Sequence, residues 1–124
     1  MTLPFKPIGL SLICGLLAVA PALADSANKI KFRDRVTLEV GQAIVVHGRR
    51  GECGALPTKA DLAKSKQDID AKLTTGYVTF GKPGVRQSGG CGGWTPAYET
   101  IFVAEKPGRE RVRIHGDEVR ITVK

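Results

Sequence analysis

Aromatic residues make up only 6 % of this 124-residue chain. Single-strand nucleic-acid binders stack bases on aromatic platforms, so no nucleic-acid partner is expected. Histidine is confined to His47 and His115, and neither C-x-x-C nor H-x-x-x-H spacing occurs, which leaves the chain without a zinc motif. The only methionine is Met1, so a blue-copper site would lack its usual axial sulfur. No serine stands in a G-x-S-x-G context. The carboxylate pairs Asp68/Asp70 and Asp117/Glu118 lie in polar sequence, which predicts solvated surface and not a glycosidase pair with divergent pKa values. These shortages predict a protein that is not an enzyme and carries no cofactor or metal.

Long apolar runs are also missing, with one exception at the start. Lys6 is the only charge before Asp25, Ile8 to Ala20 is apolar, Pro21 breaks the run, and Ala22-Leu23-Ala24 follows. This is the form of a cleavable secretory signal peptide over residues 1–24, too short for a membrane span. Cys14 sits inside its apolar part and leaves with it. The product, 25–124, is expected to be a single periplasmic or secreted domain with no membrane span. Loss of Lys6 lowers the formal charge of +7 by one, and the remaining basic balance suits a protein surface or an anionic envelope polymer as partner. The sequence says nothing of oligomeric state.

Two cysteines remain, Cys53 and Cys91. An even count in an exported chain predicts one disulfide, which on the chain-entropy account stabilises by about 4 kcal/mol. Both cysteines stand among glycines, in "GECG" and "GGCGG", so two pliant loops are expected to meet, with Trp94 over the bond. A nest of N–H groups holding an anion is the alternative use of those glycines.

The rest reads as short strands between Gly/Pro turns. Val36, Leu38 and Val40 alternate with polar residues, and Ala43 to His47 is a more buried strand. Thr58 with Asp61 three residues on resembles a capping box and predicts a helix over Thr58–Lys66, too weakly apolar to be core. Tyr77–Phe80 is a strand, "GKPG" from Gly81 a turn, and Glu99–Ala104 a strand with Ile101 and Val103 on one face. Val112 and Ile114 alternate with outward Arg111 and Arg113. His115 to Glu118 is a tight connection, and Val119, Ile121 and Val123 form the last strand. The fold class predicted is all-β, an antiparallel sandwich with one short helix and one disulfide. The function expected is non-catalytic binding through loops at one end, with Trp94, Thr95, Tyr98, Tyr77, Arg49, Arg50 and Arg86 as candidate contacts. A second expectation places anionic polymers on the face carrying Arg109, Arg111, Arg113, Arg120 and Lys124.

The stretches "LEVGQAIVV", "FVAEKPGRERVRI" and "VRITV" resemble immunoglobulin-like modules of exported bacterial proteins. "VHGRRGECG" with "GGCGGWTPAYETIFVAEKPG" is similar to small secreted bacterial proteins of uncharacterised role, a likeness that brings no function. Thr74-Thr75-Gly76-Tyr77 resembles part of the "NPTTGY" loop of chagasin-type cysteine peptidase inhibitors, and Gly89 to Gly93 their glycine loop. That resemblance implies an inhibitor using Thr74–Tyr77 and Gly89–Trp94 as wedge loops. Lys72-Leu73 stands in place of Asn-Pro, "HGDE" in place of the "RPW" loop, and those inhibitors do not rely on a disulfide at this place.

Overall fold

The computed structural model describes residues 27–124. The expected signal peptide lies outside the described residues. Six strands, one helix and a short 3-10 turn follow in the order β1 (Arg35–Leu38), β2 (Ala43–Arg50), α1 (Lys59–Asp70), β3 (Gly76–Ser88), the 3-10 turn (Gly89–Cys91), β4 (Gly93–Ala104), β5 (Gly108–Ile114) and β6 (Asp117–Val123). They form two three-stranded sheets, ordered β2-β4-β3 and β1-β6-β5. The expected all-β sandwich-like fold is present, with its one helix and one disulfide. One pairing departs from the antiparallel rule: β1 runs parallel to β6, Val36 opposite Ile121 and Leu38 opposite Val123.

Period-two burial builds the core. Val36 and Leu38, Val112 and Ile114, and Val119, Ile121 and Val123 point inward from one sheet; Val46, Val78, Phe102 and Ala104 meet them from the other. Phe102 is fully buried. Ile101 and Val103 do share a face, but it is the outer one, because β4 turns Thr100, Phe102 and Ala104 inward.

The helix begins as the sequence predicts and ends later. Thr58 Oγ1 accepts from the Asp61 N–H at 3.1 Å and Asp61 Oδ2 accepts from the Thr58 N–H at 3.0 Å, a closed capping box. The helix then continues to Asp70 and does reach the core, through buried Ile69. Two polar contacts dock it on the free edge of β3. The Val78 N–H donates to Asp70 Oδ1 at 2.9 Å, and Lys66 Nζ donates to the Val78 carbonyl at 2.7 Å. An edge strand is thereby covered where it would otherwise offer unpaired groups. Asp70 is thus a docking residue, whereas a solvated carboxylate was expected.

"GKPG" is a bulge and not a turn. β3 runs unbroken for 13 residues, and its register against β4 shifts between Phe80 and Pro83. An edge strand accommodates a proline at such a point. The extra residue's N–H, on Lys82, finds Glu99 Oε1 at 3.0 Å. The long β3–β4 hairpin therefore projects past the core. Its tip is tied to the loop after β2 by the Cys53–Cys91 disulfide, with α carbons 5.5 Å apart. Gly92, next to Cys91, takes φ 74°, the left-handed turn that ends the 3-10 segment.

Candidate functional site

The chain before β1 crosses this projecting end. Ile30 N–H donates to the Val85 carbonyl at 2.8 Å, Val85 N–H to the Asn28 carbonyl at 2.8 Å, and Arg33 N–H to the Val46 carbonyl at 2.9 Å. The segment is fixed to β3 and to β2, and it buries Ile30. A β carbon at Gly48 would lie 3.1 Å from Arg86 Cδ and 3.3 Å from Ile30 Cγ2, so both side chains pack closely over the bare glycine of β2. Between this strap, β3 and the β5–β6 turn lies a cleft of about 430 Å³, lined among others by Lys31, Phe32, His47, Arg86, Trp94 and Asp117. That volume falls in the range of small-ligand sites.

His47 forms its floor and is 2 % exposed. The Gly48 N–H donates to His47 Nδ1 at 2.8 Å, which leaves the ring proton on Nε2, donated to Asp117 Oδ2 at 2.8 Å. Both ring nitrogens are therefore engaged. Burial lowers the His47 pKa, and the bond to Asp117 offsets only part of that. Phe32 lies over the ring with centroids 4.7 Å apart, and His115 meets it edge-on at 5.3 Å. His115 Nε2 lies 2.8 Å from the hydroxyl of fully buried Thr100. Burial first, then the charges of His47, Arg49 and Arg86, push the His115 pKa down to about 3.

The walls are apolar and cationic. Four large apolar side chains are exposed among the described residues, and two of them, Phe32 at 43 % and Trp94 at 51 %, line this one cleft. Lys29 Nζ lies 5.5 Å from the Trp94 ring centroid. Arg86 donates to the Gly48 carbonyl at 3.2 Å and the Gln87 carbonyl at 3.0 Å. Partial burial and then nearby Arg50 lower its pKa, with Asp117 opposing. Among the described residues no carboxylate lies within ion-pair distance of Arg86.

The structure separates the residues singled out from sequence. Trp94 and Arg86 share the cleft. Thr95 is buried and its hydroxyl accepts from the Gly54 N–H at 3.0 Å, so it anchors the disulfide loop and is not a surface contact. Tyr98 is half-buried, in register with Arg49 and Pro83. Tyr77 pairs with Val103, nine residues along β4 from Trp94, roughly 30 Å away, under the Lys66 ammonium at 4.9 Å. Arg50 bonds the Gly51 carbonyl at 2.8 Å. Arg49 reaches Ser65 Oγ at 2.7 Å and lines a second cleft with His115, between α1 and the β5–β6 turn.

Sequence reasoning missed the His47–Asp117–His115 cluster, having placed both histidines in separate, unremarkable settings and Asp117 on solvated surface. The available signals were a histidine ending an apolar strand and "HGD" in a two-residue turn. What joins them is the packing of one sheet on the other, which neither segment encodes. Both sulfurs of the described chain are in the disulfide, so no thiol faces these histidines. Among the described residues no three His, Cys, Asp or Glu side chains gather as a metal-ligand group.

No family model, curated protein or solved structure matches this chain. The two inhibitor-like loops can be judged on geometry. Thr74–Tyr77 lies at the start of β3 and Gly89–Trp94 beyond its end, so the 13-residue strand, roughly 40 Å long, separates them. Thr75 is also buried, and the Thr74 and Thr75 N–H groups donate to Glu110 Oε2 at 3.0 and 2.7 Å. No single edge presents both loops.

Proposed function

We propose that this protein is a non-catalytic binding module and that its ligand is an anion with a flat apolar part, held in the cleft between Phe32 and Trp94. One observation carries this reading: two exposed aromatic rings line the same concavity as Lys31 and Arg86. Aromatic and arginine side chains around a pocket are the usual anchors of recognition. An acid group beside Arg86 would supply the ion-pair partner that its partly buried guanidinium lacks among the described residues.

The His47–Asp117 pair supports binding over catalysis. A general base needs a free nitrogen facing the substrate, and His47 has none, since Gly48 N–H occupies Nδ1 and Asp117 occupies Nε2. The pair instead fixes the β5–β6 turn against β2 and sets the cleft floor.

Trp94 is the only tryptophan, so its emission reports on the cleft directly. Naphthalene-2-carboxylate, a flat aromatic acid, is expected to change that emission saturably, and Arg86→Gln to weaken the effect about tenfold, the loss of one charge-assisted hydrogen bond. Equal affinity in the Arg86→Gln protein would remove the reading.

A further inference from the structure

We propose that the outer face of the β1-β6-β5 sheet docks on a lipid surface bearing anionic headgroups. Register is the starting point. Arg35 of β1 lies opposite Arg120 of β6, which lies opposite Arg111 of β5, so one row across all three strands is arginine. The alternation that buries Val36, Ile121 and Val112 turns these three outward. Arg109 adds a fourth two residues along β5, and the four line one groove of about 410 Å³ together with Glu110, whose carboxylate is taken up by the Thr74 and Thr75 N–H groups. None of them forms an ion pair with a carboxylate of the described residues.

Like charges directly opposite on neighbouring strands destabilise a sheet. Protection of a sheet edge from unwanted pairing would account for Arg35 and Arg111, on the outer strands. It does not account for Arg120, because β6 is the central strand. The row therefore fits a partner that supplies negative charge to this part of the face, away from Glu118, which lies opposite Arg113. The array is two-dimensional, spanning roughly 10 Å across the strands and 7 Å along them, which suits a plane of headgroups better than a single linear polymer. The exposed large apolar residues, Phe32, Val40, Leu56 and Trp94, lie outside these three strands. Nothing on the face enters an acyl layer or stacks on a sugar or base, so the attraction is between guanidinium forks and phosphate groups.

The test is co-sedimentation of the purified protein with phosphatidylcholine vesicles, with or without roughly one third phosphatidylglycerol. Binding is expected only to the anionic vesicles and is expected to fall with added salt. Removing one such charge weakens surface binding roughly fivefold, so the double variant Arg111→Gln/Arg120→Gln should bind roughly 25-fold more weakly. Its melting temperature should be unchanged or higher, since like-charge opposition is relieved. Arg86→Gln should keep vesicle binding, and the double variant should keep naphthalene-2-carboxylate binding, so the two sites stand or fall separately. Vesicle binding indifferent to phosphatidylglycerol, or undiminished in the folded double variant, would overturn the proposal. So would binding of soluble polyphosphate by a protein that stays off anionic vesicles.

Discussion

Replacing His115 by asparagine should change how the protein responds to acid, by an amount the structure sets. His115 has φ 51°, a left-handed conformation that asparagine tolerates, so the backbone of the β5–β6 turn is kept. Its imidazole is partly buried against His47 and near Arg49 and Arg86, and its pKa falls from 6.5 to about 3. Because the folded value is depressed, the unfolded chain takes up the proton first. Stability from this group is whole above pH 6.5 and drains as pH falls, until the folded form protonates near 3. At about pH 4.5 the drain is about two pH units, or about 2–3 kcal/mol. His47 drains in the same direction. Urea unfolding of both proteins at about pH 7.5 and about pH 4.5 isolates the term. The native protein should lose about 2–3 kcal/mol more than the His115→Asn protein over that interval, whatever their difference at neutral pH. Equal losses would show that His115 is not held neutral by burial, and the account of the cluster would fail.

Replacing both Cys53 and Cys91 by serine should lower the urea midpoint, by up to about 4 kcal/mol of stability for a bridge that closes a separation of 38 residues. An unchanged midpoint would mean that the hairpin tip is fixed without the bond. Glu110 accepts from Thr74 and Thr75; burial raises its pKa, but those bonds together hold it below the usual carboxylate range. Its contribution is therefore full above the unfolded pKa and is lost as pH falls through the folded one. Glu110→Gln should destabilise by about 1–2 kcal/mol at neutral pH and flatten the acid limb below about pH 4.5. An acid limb identical to that of the native protein would contradict the assignment.

Local rules made much of the fold legible. The alternation in Val36/Leu38, Val112/Ile114 and Val119/Ile121/Val123 gave the inward face of one sheet, because a period of two has one reading in a half-buried strand. Thr58 and Asp61 gave the helix start, since a capping box is closed within four residues. Two cysteines gave their own partner. What stayed hidden depends on contacts distant in sequence. "GKPG" has turn chemistry, yet Glu99 on the partner strand and the edge position of β3 make it a bulge. The helix runs on to Asp70, whose carboxylate accepts from the Val78 N–H of β3, a contact that lies outside the helix's own sequence. Trp94 and Arg86 could be chosen by residue type alone. Phe32 could not, because nothing near it signals that its segment crosses the sheet and covers His47. Thr95 was misread because the β4 pleat, not its neighbours, decides that it faces inward.

The most direct test of the cleft uses the one indole N–H of the chain. In an amide-correlation NMR spectrum, naphthalene-2-carboxylate should shift the Trp94 indole signal together with the backbone signals of Phe32, His47 and Gln87. The matched neutral alcohol, 2-naphthalenemethanol, should do so at least tenfold more weakly, because it offers Arg86 no charge. Shifts of equal size for acid and alcohol, or shifts that leave Trp94 untouched, would contradict a cleft built for an aromatic anion.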